Sequence, residues 1–499
     1  MRITNKMMTN NMMSNINKNK LNMSSLEQQY STGKKIQRPS EDPIIAVRAL
    51  KLRTNLSELE QYYEKNIPDA KSWMDVTESS LSTVNEILSS INSYCVQGSS
   101  DTLTASNRAS IVENLTQLKE QIYHEGNANY AGRYVFTGYK TDTPLIFTQD
   151  APNLSYQITE NFTGDQIQIS NKCIGGYTIK DYDDAAEDFE DAPQMVDIYR
   201  LRLSYDDLSS NAAEVPTALN YAIRNAAGDL EDQIGFPVIT KSVNDLDAYQ
   251  PGADEVYFLP ETGEMVMGSG VYDELRTADD ISVSYTKTGF DSGELRPEHY
   301  FNCVMTDSSK PEQEPIAYTK EVQKIQYEVN FNQKLTINTE GSDAISHQIG
   351  RTVTDILDAV NEVLQIEGYI TEIDERLKDT SLTPDEKARY EKMKEQMDTE
   401  LELKKEIMQS AFETAITTSN EEQDRVNVAV ADLGSRYVRL ELTEDRLSSQ
   451  KTDFTDLLST NEDADMAETI IKFSTAETVY NASLNAASRI VQNSLLDFL

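Results

Sequence analysis

Residues 466–499 read MAETIIKFSTAETVYNASLNAASRIVQNSLLDFL. Met466, Ile470, Phe473, Ala476, Tyr480, Leu484, Ala487, Val491 and Leu495 recur at threes and fours, the period of one apolar stripe along an α-helix. A seam of this kind buries its side chains only when a second helix lies against it. The other end of the chain offers a candidate. Met12, Ile16, Asn19, Met23, Leu26 and Tyr30 alternate by fours and threes, with Asn19 as a polar interruption. A helix that short is marginal alone in water, so the first and last segments are expected to order only when partnered. Docking of the two ends on each other is the alternative.

Working inward from the N-terminus, Ser31–Gly33 reads as a stop and IQRPSEDP (36–43) as an ordered turn. Asp42 suits an N-cap. Pro43 suits the first helical position, where its missing N–H would be unpaired in any case. Leu52, Leu56, Leu59 and Tyr63 carry the next stripe, Pro68 is a candidate break, and Met74, Thr77, Leu81, Val84, Leu88, Ile91 and Cys95 resume it. A further helix is predicted over 105–126. Working inward from the other end, Ile356, Val360, Val363, Ile366, Ile370, Ile373 and Leu377 make a long stripe. Thr383-Pro384-Asp385-Glu386 then has the form of a capping box that opens a new helix.

Between these arms the periodicity changes. GRYVFTGYKTDTPLIF (132–147), LSYQITE, QIQIS, EVYFL, ISVSYTK, KIQYEVN and KLTIN are rich in β-formers and separated by turn residues. Short helices are expected near 213–229. The predicted class is α+β: long terminal helices forming a coiled-coil-like rod or bundle, with a projecting, mainly β middle region. The segments are 1–40 (N-terminal helical assembly segment), 41–135 (N-terminal half of the rod), 136–350 (one or two β domains), 351–463 (C-terminal half, with a helical corner near 380–384) and 464–499 (C-terminal assembly segment). Helix at both ends and β between fits a filament subunit, and it also fits a monomeric helical bundle.

The 499 residues carry a formal charge of −39. A field of that sign repels a phosphate backbone, so nucleic acid is excluded as a bulk partner. The charge is uneven: residues 1–60 are net +5 and residues 181–290 net −18. No apolar run reaches the ~20 residues needed to cross a bilayer, so no membrane insertion is expected. The opening MRITNKMMTNNM lacks the apolar core and small-residue cleavage site of a secretory signal. The chain is expected either in the cytoplasm or exported with its N-terminus uncut.

Chemistry is sparse. Cys95, Cys173 and Cys303 are odd in number and far apart, and His124, His299 and His347 lie far from them in sequence. The acidic runs at 178–184 and 461–468 lack the spacing of a calcium loop, and Gly33-Lys34-Lys35 lacks the upstream glycine of a phosphate loop. Trp73, the single tryptophan, reads as a seam or core anchor. No catalytic, cofactor-binding or metal residue is assigned, and no cofactor. The stripes Met12–Tyr30 and Met466–Leu495 are the expected functional surfaces.

Four stretches resemble the flagellin-like axial proteins of the bacterial flagellum, and within them the hook-associated branch that joins hook to filament. They are MRITNKMMTNNM; LEQQYSTGKKIQRPSEDPIIAVRAL (26–50); NANYAGRYVFTGYKTDTPLIF (127–147); and LGSRYVRLE (433–441) with the C-terminal DLLSTNEDADMAETIIKF and YNASLNAASRIVQNSLLDFL. Glu41 departs from the common Asp, and the middle and 378–425 run longer than in many relatives. The GRYVFTG segment distinguishes the junction branch from filament flagellin, the alternative. A flagellin-like chain with a specialised or enzymatic outer domain and a helical adhesin are further alternatives. The resemblance implies a structural, non-enzymatic subunit for motility, built into a ring of its own copies. Its neighbours would be an adjacent hook-associated protein and filament flagellin. It also implies a cytoplasmic export chaperone on the C-terminal stripe, and export by the flagellar secretion apparatus without a cleaved signal peptide.

Overall fold

The computed structural model describes residues 5–100, 103–176, 192–225, 228–245 and 247–496, with side chains described only up to 489 in the last helix. The helical segments are α1 (Asn5–Thr32), α2 (Pro43–Gln61), α3 (Ile67–Gly98), α4 (Ala105–Glu125), the short α5 (Ser269–Leu275) and α6 (Gly341–Ala344), α7 (Gln348–Leu377), α8 (Pro384–Glu462) and α9 (Met466–Leu496). The class is α+β, with long helices at both ends of the chain and a mixed sheet between them.

The caps form as their chemistry requires. Asp42 Oδ1 accepts from the Ile44 and Ile45 amides at 2.9 and 3.1 Å. The Glu386 amide donates to Thr383 Oγ1 at 3.3 Å while the Thr383 amide donates to the Glu386 carboxylate at 2.8 Å. Gly33 closes α1 with φ +68°, a conformation that costs glycine nothing. Pro68 does not break the second helix as expected. It cannot donate to the preceding turn, and the chain widens into one π-helical turn at Tyr62–Asn66 before α3 continues.

The chain divides into two compact units. The first holds 1–70, 327–335 and 438–499; the second holds 71–326 and 336–437. In the first, α1 pairs with α9. Buried Leu59, Ile67 and Ala70 on one run and buried Leu440 and Leu447 on the C-terminal part of α8 are its apolar centre. The hairpin β14 (Gln326–Asn330) and β15 (Gln333–Thr336) turns through Asn332 at φ +55°. Its Tyr327 hydroxyl donates to Asp69, and Asn66 donates to the Glu328 carbonyl at 2.8 Å.

In the second unit the predicted stripe of α3, Met74 to Cys95, is buried throughout. Ile111, Val112, Leu115 and Ile122 of α4 are buried, as are Ile349, Val353, Ile356, Val360 and Val363 of α7, with which α4 packs. The turn into α8 folds Ile373 onto Met393 and Met397. The main sheet joins β3 (Leu154–Phe162), β4 (Gln168–Ile174), β5 (Gln194–Arg202), β6 (Ala218–Arg224), β7 (Leu230–Asp232), β8 (Phe236–Thr240), β9 (Val256–Leu259), β10 (Glu264–Met267), β11 (Asp280–Thr288), β12 (Asn302–Asp307) and β13 (Ile316–Tyr318). Its order is β13-β12-β3-β11-β6-β8-β9-β10-β5-β4, with β7 beside β6. Among the described residues only β8 and β9 pair in parallel. Tyr156, Ile158, Leu201, Phe258, Met265, Val283, Tyr285 and Phe290 fill the core on one face; Ile198, Tyr257, Leu259 and Val266 form a smaller cluster. Among the described residues of 213–229 there is no helix, contrary to expectation. Residues 218–224 are β6, because Leu219 and Tyr221 alternate into the core in a strand's period of two.

Candidate assembly surface

The two terminal stripes meet within the chain. Along α1, Thr9, Met12, Ile16, Asn19, Met23, Leu26 and Gln29 are the residues drawn out of solvent. Along α9 they are Thr469, Phe473, Ala476, Tyr480, Ser483 and Ala487. Both sets follow the three-four period of a helix pair. Asn19, expected as an interruption, donates to Ser483 Oγ at 3.2 Å, so the polar position is matched across the seam. The stripes are narrower than predicted. Tyr30, Met466, Ile470 and Leu484 stay exposed at the edges, joined by Leu21 (70% exposed), Ile471 (67%) and Val479. Val491 and Leu495 lie outside the described side chains. A groove of about 510 Å³ runs between the helices, lined by Leu26, Ile471, Ala476 and Val479 among others.

Below the pair, the turn after α1 is clasped to the end of α8. The Lys35 amide donates to the Glu462 carbonyl at 2.7 Å and the Ala464 amide to the Gly33 carbonyl at 2.8 Å. Lys34 Nζ reaches Asp463 at 2.5 Å and Glu462 at 3.3 Å, and Arg53 reaches Glu462 at 2.7 Å. Burial raises the Glu462 carboxyl, and hydrogen bonds from Arg53 and Lys34 more than reverse it. Hydrogen bonding to Lys34 holds Asp463 low. Gly33-Lys34-Lys35 is therefore a chain clasp, and two of the sequence stretches singled out above, 26–50 and 456–473, are brought together by it. Ile36, Pro39, Ala46 and Ala49 line a cleft of about 170 Å³ beside it, with Leu50 at its rim. Ile44, Val47 and Leu50 of α2 point outward, exposed.

Residues 127–147 form a corner of the second unit. The hairpin β1 (Asn129–Tyr130) and β2 (Arg133–Tyr134) turns through Ala131 and Gly132, both at positive φ, with the Gly132 amide on Asn129 Oδ1 at 2.8 Å. Tyr130 meets Trp73 edge-on at 6.1 Å and Arg133 lies over the indole at 5.1 Å. Trp73 is buried, a core anchor. Val135, Phe136, Leu145, Ile146 and Phe147 follow it into the interior.

The remaining candidates disperse. Cys95 and Cys303 are buried and Cys173 half-buried, all free. Burial pushes the thiols up, to about 12, 12 and 11 in that order, so they are poor nucleophiles. Burial also holds His299 and His347 neutral, near 4 and 3. Among the described residues no group of three or more His, Cys, Asp or Glu is placed to hold a metal ion. The acidic run at 178–184 lies outside the described residues.

Both terminal arms match known families. The bacterial flagellin N-terminal helical region matches residues 3–141, and the bacterial flagellin C-terminal helical region matches residues 413–499. The chain belongs to the flagellin-like axial proteins. This axial protein is 30% identical over 179 residues to flagellar hook-associated protein 3 of Salmonella typhimurium, 36% of this chain and 55% of that one. It is 32% identical over 144 residues to the Escherichia coli protein of the same name, 29% of this chain and 45% of that one. The match thus spans about half the length of these curated relatives. Solved structures of a flagellar hook-associated protein from Vibrio parahaemolyticus and of hook-associated protein 3 from Legionella pneumophila align over 85% and 82% of this chain and 100% and 97% of theirs. Their identities are 12% and 13% and their TM-scores 0.35 and 0.31.

Proposed function

We propose that this axial protein is a structural subunit of the bacterial flagellum that joins hook to filament. The observation that carries the reading is the distribution of apolar surface. The unit holding both chain ends is the smaller of the two, yet it bears most of the exposed large apolar side chains. Their positions, Leu21, Ile44, Val47, Leu50, Leu457, Ile470 and Ile471 among them, lie almost all on the long helices of that unit and outside its buried centre, where folding has no further use for them. Segments 1–40 and 464–499 are the assembly segments. Through them the subunit contacts its own copies in a ring, an adjacent hook-associated protein and filament flagellin. Before export a cytoplasmic chaperone covers the C-terminal stripe, and the flagellar secretion apparatus passes the chain without cleaving a signal peptide. No catalytic residue, metal or cofactor enters this reading.

Filament flagellin is the second reading, supported by the matched terminal regions; GRYVFTG at 132–138 and the similarity to proteins named hook-associated protein 3 favour the junction. Immunogold labelling of flagella from the source bacterium separates them: label at a single site between hook and filament is expected, and label along the filament would replace the junction role by the flagellin one. Within the junction reading, Phe473→Ala with Tyr480→Ala is expected to abolish incorporation while the sheet stays folded. Both side chains sit in the α1–α9 seam. Normal incorporation of the double variant would remove the seam from the assembly surface.

A further inference from the structure

Helix α7 has two faces. Ile349, Val353, Ile356, Val360 and Val363 are buried along one side of it. Arg351, Asp355, Asp358 and Glu362 follow one another by four, three and four along the opposite side, a stripe that would ordinarily face water. Here it meets the sheet. Asp355 accepts from Arg200 at 2.6 Å and is ion-paired with Arg202 at 2.7 Å, and both guanidiniums also reach Glu264, at 2.5 and 2.9 Å. Arg351 pairs with Asp206 and donates to the Thr262 carbonyl. Farther along, Glu362 lies 3.7 Å from Lys172 of β4 and 3.6 Å from Lys404 of α8, which also holds Glu400 at 3.0 Å.

At the start of α7 the contacts are of another kind. Tyr205, Tyr300 and Phe301 stand around His347 with ring centroids 4.8, 4.6 and 5.3 Å away. The Tyr205 hydroxyl donates to the Leu295 carbonyl at 2.8 Å. The chain leaves α4 and enters α7 at this same end, where a Cβ on Gly126 would meet both Leu145 and Ile345. One end thus carries the aromatic cluster and the chain connections, with the Arg351–Asp206 pair one turn along, and the other is held by ion pairs alone.

We propose that the sheet is hinged at the aromatic cluster around His347 and held against α7 and α8 by an ionic latch, with Asp355 and Glu362 as its two acidic pins. Charge pairs of this kind specify one seating without supplying the adhesion of an apolar interface, because each ion gives up hydration to make the contact. The outer pair at Glu362 is partly exposed and is the first to yield.

Cys173 reports the state of the latch. It neighbours Lys172 on β4, and the end of that strand rests on α8: a Cβ at Gly176 would stand 2.6 Å from a Glu400 carboxylate oxygen. The test is maleimide labelling of the native full-length chain, read by peptide-resolved mass spectrometry. Cys173 is expected to label roughly tenfold faster or more in Glu362→Gln than in the wild type, because Lys172 and Lys404 lose their shared partner. The wild type is expected to follow the same trend when salt is raised from about 0.05 to about 1 M, where the Debye length shrinks to roughly 3 Å. Cys95 and Cys303 should stay unlabelled in both experiments. Unchanged Cys173 labelling in variant and salt alike would overturn the latch, as would labelling that rises only in step with Cys95 and Cys303.

Discussion

Glu160 sits in the middle of β3, buried, accepting from the Tyr285 hydroxyl and from the Ser204 amide at 3.2 Å. Burial raises its carboxyl to about 7, against which the Tyr285 and Ser204 hydrogen bonds pull only part of the way. The folded state therefore holds a proton that the unfolded state releases near 4.5. The stability this confers is full below the unfolded value and is lost as pH rises through the folded one, on the order of 3 kcal/mol between them. Glu160→Gln retains an oxygen for both donors and carries no charge. It should be more stable than the wild type at pH 8, equal to it at pH 4, and show a flatter dependence of denaturation midpoint on pH between 5 and 7. An unaltered slope would mean that Glu160 does not titrate in that window. Sequence could not single this residue out among 84 acidic ones, since its partners come from one other strand, β11, and from the loop after β5. Asn19 was visible as a break in a stripe, but its partner Ser483 lies 464 residues away.

Elements were far more legible than residues. The caps at Asp42 and Thr383, the stop at Gly33 and six strand segments follow from local chemistry, because a cap or a turn is satisfied within four residues of itself. Where tertiary context decided, the reading failed. Residues 213–229 carry enough alanine to look helical, yet pairing of β6 with β8 and β11 makes 218–224 a strand. The charged stripe of α7 is not legible for a physical reason: a row of Arg, Asp and Glu opposite an apolar face has the pattern of a solvated surface. Thr383 gives the clearest test at this scale. Its reciprocal bonds with Glu386 open the 79-residue helix α8. Thr383→Ala should cost about 1 kcal/mol locally, read as roughly fivefold faster amide exchange at 385–388, while the Met393–Ile373 contact and the sheet are unaffected. Exchange unchanged at those amides would show that Pro384 and the preceding turn fix the helix start without the hydroxyl.

Across the whole molecule, burial is shared unequally, and this sets the order in which parts open. The sheet encloses two apolar clusters and the α3, α4 and α7 stripes are buried along their length. The α1–α9 pair instead has Ile16 and Thr469 as its fully buried described side chains, with its other seam positions only half covered. A side chain left in water forgoes roughly 1.5–3 kcal/mol of burial, so a seam of half-covered residues, one of them Asn19, holds its helices only slightly below the coil. Local opening then costs little, and amides there exchange through small fluctuations. Hydrogen exchange on a verified monomer should show residues 6–30 and 466–489 exchanging orders of magnitude faster than β3 and β11. On assembly, neighbours covering Leu21, Ile470, Ile471 and Leu484 should bring the same amides under protection, because the missing burial is supplied from outside. Protection across both terminal helices equal to that of β3 in the monomer would mean that the pair is self-sufficient. The exposed flanks would then be the only assembly surface, and ordering of the ends would contribute nothing to it.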